Sequence, residues 1–347
     1  MIEVTTADIE RYREDGFLVV ENFVTDAEVE LLRERLGRVL DGTFDRVCEP
    51  DDYHWKKGRD PDDVTRSMGP VWRCDSALGR FTFSSDHARV AAALEGVPSV
   101  RLYNDYVWYK PPGGKPIDVH QDAAYNTWVE PVQVAACWIA LDDTYADAGT
   151  LSYVRGSHRW GAQPPETVAP LPAGPVDPDD ASWTSYLRKV APRGVEIELV
   201  PLEVKAGTAA FHSGWTWHGS GPNTRPGAIR RSYTAHFLHG AAQHHPFVRD
   251  PIFSRTHTPG ARALDESTFP ILWSADGYRS PWIEDYLLET GPFFDSEVSE
   301  VGRVVDFSAI DTEPWNPGAH DGKTVSTGRS PDRSGSGSAD VQRPFEK

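Results

Sequence analysis

The spacing of apolar positions divides the chain into a helical opening and a β-rich middle. From about Thr6, Ile9 and Tyr12 recur on one helical face, and Gly16 ends the run. Phe17-Leu18-Val19-Val20 then reads as a short strand. Thr25-x-x-Glu28 is a capping box, in which each side chain satisfies an amide left free at a helix start. Val29, Leu32, Leu36 and Val39 follow at helical spacing, and Gly42 closes that helix. Residues 43–80 are rich in charge and aromatics without a clear period, and are expected to be irregular. A third helix is predicted from about Ser85 to Leu94, with Gly96 as its stop.

Beyond that point the period changes to two. Val100–Tyr109, Val132–Leu141, Leu151–Val154, Val195–Val200, Thr208–Phe211 and Arg231–Leu238 read as strands. Many short strands with Gly/Pro turns predict a sandwich or barrel. Residues 161–180 carry six prolines, which rules out a central strand and predicts a long surface loop or lid. Residues 241–315 mix aromatics with loops and are expected to pack on the core. From Pro317 the chain is rich in Gly, Ser, Asp and Arg without apolar periodicity, so 317–347 is expected to be a disordered tail.

Composition narrows the class. At 347 residues the chain can hold two domains or one large β-rich domain with helical additions. Its formal charge of −17 excludes nucleic acid or an anionic membrane as the main partner, because both require clustered positive charge. Three scattered cysteines, Cys48, Cys74 and Cys137, form neither a disulfide framework nor a thiolate zinc site and fit a reducing compartment. The polar N-terminus is unlike a signal peptide, and no run of about 18 apolar residues occurs. A cytoplasmic location is the expectation.

The sharpest chemical feature is His120-Gln121-Asp122. On a strand, residues i and i+2 share a face, so His120 and Asp122 can aim at one point. An imidazole and a carboxylate so placed are two thirds of the facial triad that holds non-haem Fe(II). His218, in Phe211-His-Ser-Gly-Trp-Thr-Trp-His218-Gly-Ser220-Gly, is the best third ligand, with His212 as its competitor. A keto-acid co-substrate on such a metal has a far carboxylate that needs a buried cation, best an arginine. Arg225, Arg230 and Arg231 all follow His218. Trp108, Tyr125, Trp128, Trp215 and Trp217 lie close in sequence to these motifs and are candidate pocket walls; core packing is the competing role for each. Arg73, with Trp55 and Trp72, belongs to the segment 43–80, which together with 161–180 is the candidate lid.

Five ordered pieces carry a resemblance: DGFLVVENFVTDAEVELLRERL, YKPPGG…HQD, the strand around Cys137-Trp138, GTLSYVRGSHRWG, and HGSGPN…RRSYTAHF. With them the chain resembles the phytanoyl-CoA dioxygenase family of Fe(II)/2-oxoglutarate-dependent oxygenases. The resemblance implies a mainly β fold with flanking helices around a double-stranded β-helix (jelly roll, cupin-like) core. One catalytic domain then spans 1–316, with N-terminal helices over 6–42, the core over about 98–240 and a C-terminal extension over 241–316. It implies Fe(II), 2-oxoglutarate and O2 as cofactors, and His120, Asp122 and His218 as iron ligands. Gln121, Trp138, Ser220 and Tyr106 fall where such proteins contact the co-substrate. Arg230 matches the family arginine counted back from His236-Phe237; counted forward from His218 it is one residue late, so Arg225 and Arg231 stay open. Related halogenases have a small residue at the position of Asp122, so a hydroxylation or related oxidation is implied. The partner is a small-molecule substrate, polar or cationic on the evidence of the acidic lids, in specialised biosynthesis. Acyl-CoA fits less well, since no basic cluster exists to hold its phosphates. Two other readings stand beside this: a cupin-like Zn or Mn hydrolase or isomerase, and a non-catalytic jelly-roll binding protein.

Overall fold

Period-two alternation along the middle strands builds two antiparallel sheets that face each other across a cavity. The computed structural model describes residues 4–46, 48–162, 181–255 and 257–291. The tail 317–347, the end of the C-terminal extension and all but the first two residues of the 161–180 loop lie outside them. The helices are α1 (Thr6–Asp15), α2 (Asp26–Leu40), α3 (Ser76–Thr82), α4 (Ser85–Glu95), α5 (Ala181–Val190) and α6 (Trp282–Thr290). The first strands are β1 (Phe17–Val20), β2 (Asp52–Tyr53), β3 (Arg66–Gly69), β4 (Ser99–Lys110), β5 (Ile117–His120), β6 (Val129–Glu130) and β7 (Val134–Ala140). They are followed by β8 (Leu151–Val154), β9 (Leu199–Pro201), β10 (Ala209–Ser213), β11 (His218–Ser220), β12 (Arg230–His239), β13 (Gln243–His244) and β14 (Ile271–Ser274).

The major sheet has the order β1-β10-β7-β12-β4-β3-β2, with β14 also on β4; the minor sheet has the order β5-β11-β8-β9. A short ribbon pairs β6 with β13. This is the jelly-roll core with flanking helices that the sequence resemblance implies. β12 shows how alternation sorts side chains. Tyr233, Ala235 and Phe237 enter the large core between the major sheet and the helices, where Leu32, Leu36 and Val39 of α2 and Val90, Ala91 and Leu94 of α4 meet them. Arg230, Thr234 and His236 face the cavity instead. A second core between the sheets packs Phe17, Trp138, Leu151, Tyr153 and Ala210.

The predicted caps form. Thr25 and Glu28 satisfy each other's backbone at the start of α2, and Gly96 takes the left-handed conformation after α4. The segment 43–80 is more ordered than expected. β3 extends the major sheet by pairing with β4. α3 is set by Asp75, whose buried carboxylate accepts from the amides of Ala77 and Leu78 at 3.0 Å and from Arg35 of α2. That helix has one buried cap and a distant partner instead of a long amphipathic pattern, so periodicity does not reveal it. The strand expected over 195–200 shrinks to β9, and Val195 is exposed. α5 and α6 are additions to the predicted elements. Among the described residues no helix is long and apolar enough to cross a membrane.

Candidate metal centre and its cavity

His120 closes β5 and His218 opens β11, and the two are direct cross-strand partners. Their rings lie 4.3 Å apart. Asp122 is past the end of the strand, at the start of a single tight turn, Asp122–Tyr125. Gln121 between them stays extended (φ −115°, ψ 124°), so the same-face geometry still carries to Asp122. Asp122 Oδ1 is 3.3 Å from His120 Nε2 and 3.5 Å from His218 Nε2. One ligand atom from each of the three lies within 4.8 Å of the others.

Backbone contacts set the histidine tautomers. His120 Nδ1 donates to the Asp118 carbonyl at 2.7 Å, and His218 Nδ1 to the Thr216 carbonyl at 2.9 Å. Each ring therefore turns its Nε2 to the centre, the arrangement that metal-binding histidines use. Burial pushes the His218 imidazole well below its ordinary range, which favours the neutral ligand form. Burial alone would raise the Asp122 carboxyl, but the surrounding histidines, His218 first, outweigh it and hold it well below the usual carboxylate range. Burial alone would lower the His120 imidazole, but the Asp122 carboxylate outweighs it and raises it above its ordinary range, so a metal bound here displaces a proton. The donor set is two imidazoles and one carboxylate, which suits Fe(II) with open positions and also zinc.

Two further histidines face the other carboxylate oxygen. His212 Nε2 is 3.2 Å from Asp122 Oδ2, and His236 Nε2 is 3.6 Å from it. Tyr153 donates its hydroxyl to His212 Nδ1 at 2.8 Å. His212 is thus no rival to His218 at a strand's length but a neighbour of the same carboxylate. Both extra histidines are legible in hindsight. His236 lies six residues from Arg230 on β12 and so has the same parity, and His212 shares the parity of Ala210, which packs between the sheets.

The cavity above the centre has a volume of about 400 Å³. Of the predicted co-substrate and wall residues, Trp138, Ser220, Tyr106, Arg230, Trp108 and Tyr125 line it. Tyr106 donates its hydroxyl to Asp52 at 2.8 Å, which brings β2 to the cavity as well. Asn104 is a lining residue that the sequence reading did not single out.

Four predicted site residues lie elsewhere. Gln121 is fully buried and turned away from the cavity, its amide donating to the Trp215 carbonyl at 2.6 Å. Trp128 packs between Tyr103, Phe253 and Phe269. Trp217 packs with Val119, Val154 and Leu187. Arg73 is paired with Asp51 at 3.0 Å and stacks on Trp72. For both tryptophans core packing is the role the structure gives.

The three arginines separate by their partners. Arg225 sits over the Tyr145 ring and pairs with Asp147. Arg231 is bidentate on Asp142, at 2.9 and 2.7 Å. Arg230 is buried with no carboxylate partner among the described residues; Nη1 donates to Ser232 Oγ at 2.9 Å and Nε is unpaired. Burial pushes its guanidinium down to about 10. An uncompensated buried cation at a cavity wall is costly, and an incoming carboxylate would relieve it.

The sequence model of the family described as phytanoyl-CoA dioxygenase matches residues 12–232. The chain belongs to the phytanoyl-CoA dioxygenase family. Among the family's curated members, a phytanoyl-CoA dioxygenase domain-containing protein 1 homolog of Dictyostelium discoideum is 24% identical over 276 residues, covering 69% of this chain and 92% of that one. Two solved structures share the fold. The non-heme alpha ketoglutarate dependent carbocyclase SnoK from nogalamycin biosynthesis superposes with a TM-score of 0.58 at 24% identity, over 77% of this chain and 96% of that one. The epimerase SnoN from the same biosynthesis gives 0.57 at 21% identity, over 77% and 97%. The phytanoyl-CoA dioxygenase family match spans the part of the chain that carries His120, Asp122, His218 and Arg230.

Proposed function

We propose that this chain is a non-haem Fe(II)- and 2-oxoglutarate-dependent oxygenase that hydroxylates an unactivated C–H bond of a small polar metabolite in specialised biosynthesis. The observation that carries the reading is the pairing, in one cavity, of the His120–Asp122–His218 cluster with the uncompensated Arg230. Bound Fe(II), 2-oxoglutarate and O2 supply the oxidising power, coupling decarboxylation of the keto acid to oxidation of a C–H bond. His218 offers a neutral Nε2 and Asp122 an ionised oxygen, whereas His120, raised by Asp122, gives up a proton as the metal takes its place between them. Arg230 fixes the far carboxylate of the keto acid, and Trp138 and Leu151 close around its chain. The substrate lies toward Tyr106, Trp108 and Tyr125, and those rings hold the C–H in place and exclude water.

Arg230 is the only Lys or Arg among the described residues lining the cavity, and the acid Asp52 lines it too. This supports a neutral or cationic substrate over an acyl-CoA. A second reading ends the same C–H oxidation in ring closure or epimerisation, and the fold likeness to SnoK and SnoN favours it. Product mass separates the outcomes: gain of one oxygen, loss of two hydrogens, or no change.

The first test is spectroscopic. Anaerobic protein given Fe(II) and 2-oxoglutarate is expected to show the weak metal-to-ligand absorption band toward the red end of the visible spectrum. Asp122→Ala is expected to abolish it. Arg230→Ala is expected to weaken 2-oxoglutarate binding at least about tenfold, the scale of a lost charged hydrogen bond. Folded wild-type protein without the band would overturn the reading.

A further inference from the structure

The YKPPGG motif contains a buried lysine that the oxygenase reading leaves without a task. Lys110 ends β4 directly opposite Arg230 of β12. It is fully buried, and no carboxylate pairs with it among the described residues. Its stem crosses from the major sheet to the minor one, and Nζ donates to Ser220 Oγ at 2.7 Å and to the Gly221 carbonyl at 2.6 Å. The passage is built for it. A Cβ on Gly114 would stand 2.7 Å from Lys110 Cγ, and one on Gly149 would stand 2.7 Å from Lys110 Cδ. Lys110 does not line the cavity, but Ser220 does, together with Arg230.

We infer that Lys110 is a positioning residue that orients the Ser220 hydroxyl as a hydrogen-bond donor toward the far carboxylate of 2-oxoglutarate on Arg230. The reason is the donor inventory. An ammonium has three protons and no acceptor, so the hydroxyl it holds must accept from it and direct its own proton elsewhere. The far carboxylate of a keto acid on Arg230 would accept a hydrogen bond from that proton. Burial, and then the neighbouring Arg230 charge, push the Lys110 ammonium well below its ordinary range in the ligand-free protein. A carboxylate against Arg230 offsets that repulsion and favours the ammonium. The inference rests on the oxygenase reading of this site.

The experiment titrates anaerobic Fe(II)-loaded protein with 2-oxoglutarate and with 2-oxopentanoate, which has the same carbon chain and no far carboxylate. Calorimetry and the visible band report binding. Lys110→Met and Ser220→Ala are each expected to weaken 2-oxoglutarate about tenfold or more and to leave 2-oxopentanoate within about twofold of wild type. The double variant is expected to lose no more than the worse single one, because one interaction has been removed twice. Equal losses for both acids would make Lys110 a mere strut between the sheets and overturn the inference. So would unchanged 2-oxoglutarate affinity in Ser220→Ala, which tests the hydroxyl even if Lys110→Met does not fold. If wild-type protein binds neither acid and shows no band, the oxygenase reading falls and the inference with it.

Discussion

Asp122 divides its surroundings in two, since His120 and His218 face one oxygen while His212 and His236 face the other. The first pair forms the candidate metal face; the second holds the carboxylate from behind. His212 is itself held by Tyr153, so the chain Tyr153–His212–Asp122 fixes which oxygen faces His120 and His218. His212→Phe is expected to lower Fe(II) affinity about 10–100-fold, the usual cost of removing such a supporting partner. Anaerobic metal titration checks this, and wild-type affinity in the variant would show that His212 supports nothing. The HxD pair was legible in sequence because its geometry is local: one extended residue separates the two ligands. The choice among Arg225, Arg230 and Arg231 was not. It depends on which of them meets Asp147 or Asp142, and neither carboxylate is near the arginines in sequence.

At the level of elements, the helices that announce themselves in sequence are those with an exposed local cap and a long apolar stripe. α2 has both, and α3 has neither. The same contrast sets the energetic expectation. Thr25→Ala removes a solvent-exposed cap and is expected to destabilise the protein by about 1 kcal/mol. Asp75→Ala removes a buried carboxylate that caps α3 and pairs with Arg35, and is expected to cost about 3 kcal/mol or more. Urea unfolding of the two variants measures the difference; equal losses would mean that the Asp75–Arg35 contact contributes nothing beyond the cap. Trp108, named by closeness to the motifs, and Trp138, named by resemblance, lie within strands and line the cavity, Trp108 with its same-parity neighbour Tyr106. Trp128 and Trp217 lie just before the short strands β6 and β11, where parity does not govern direction, and so only packing decides where their rings go.

For the molecule as a whole, two buried groups give opposite pH dependences. His87 is buried neutral, its two nitrogens meeting the Thr82 carbonyl and Ser84 Oγ, and burial pushes it down from 6.5 to about 4. Between those values the unfolded chain binds a proton that the folded chain refuses. Its contribution is therefore full above 6.5 and lost as pH falls toward 4. Asp105 runs the other way, raised by burial from 3.8 to about 7, so its contribution is full below 3.8 and lost as pH rises through 7. The destabilisation caused by His87→Gln at about pH 7 is expected to shrink by up to about 3 kcal/mol at about pH 4. Urea unfolding at both pH values checks this, and a loss that does not change with pH would show that His87 is not held neutral. The sequence by itself determined the sandwich-or-barrel class of the core, the HxD pair and the YKPPGG motif, because alternation, capping and short spacings are properties of neighbouring residues. Only the tertiary structure decided which arginine stays uncompensated, that four histidines surround one carboxylate, and that Lys110 reaches Ser220. Each of those depends on the two sheets closing on each other, and that brings together residues about a hundred positions apart.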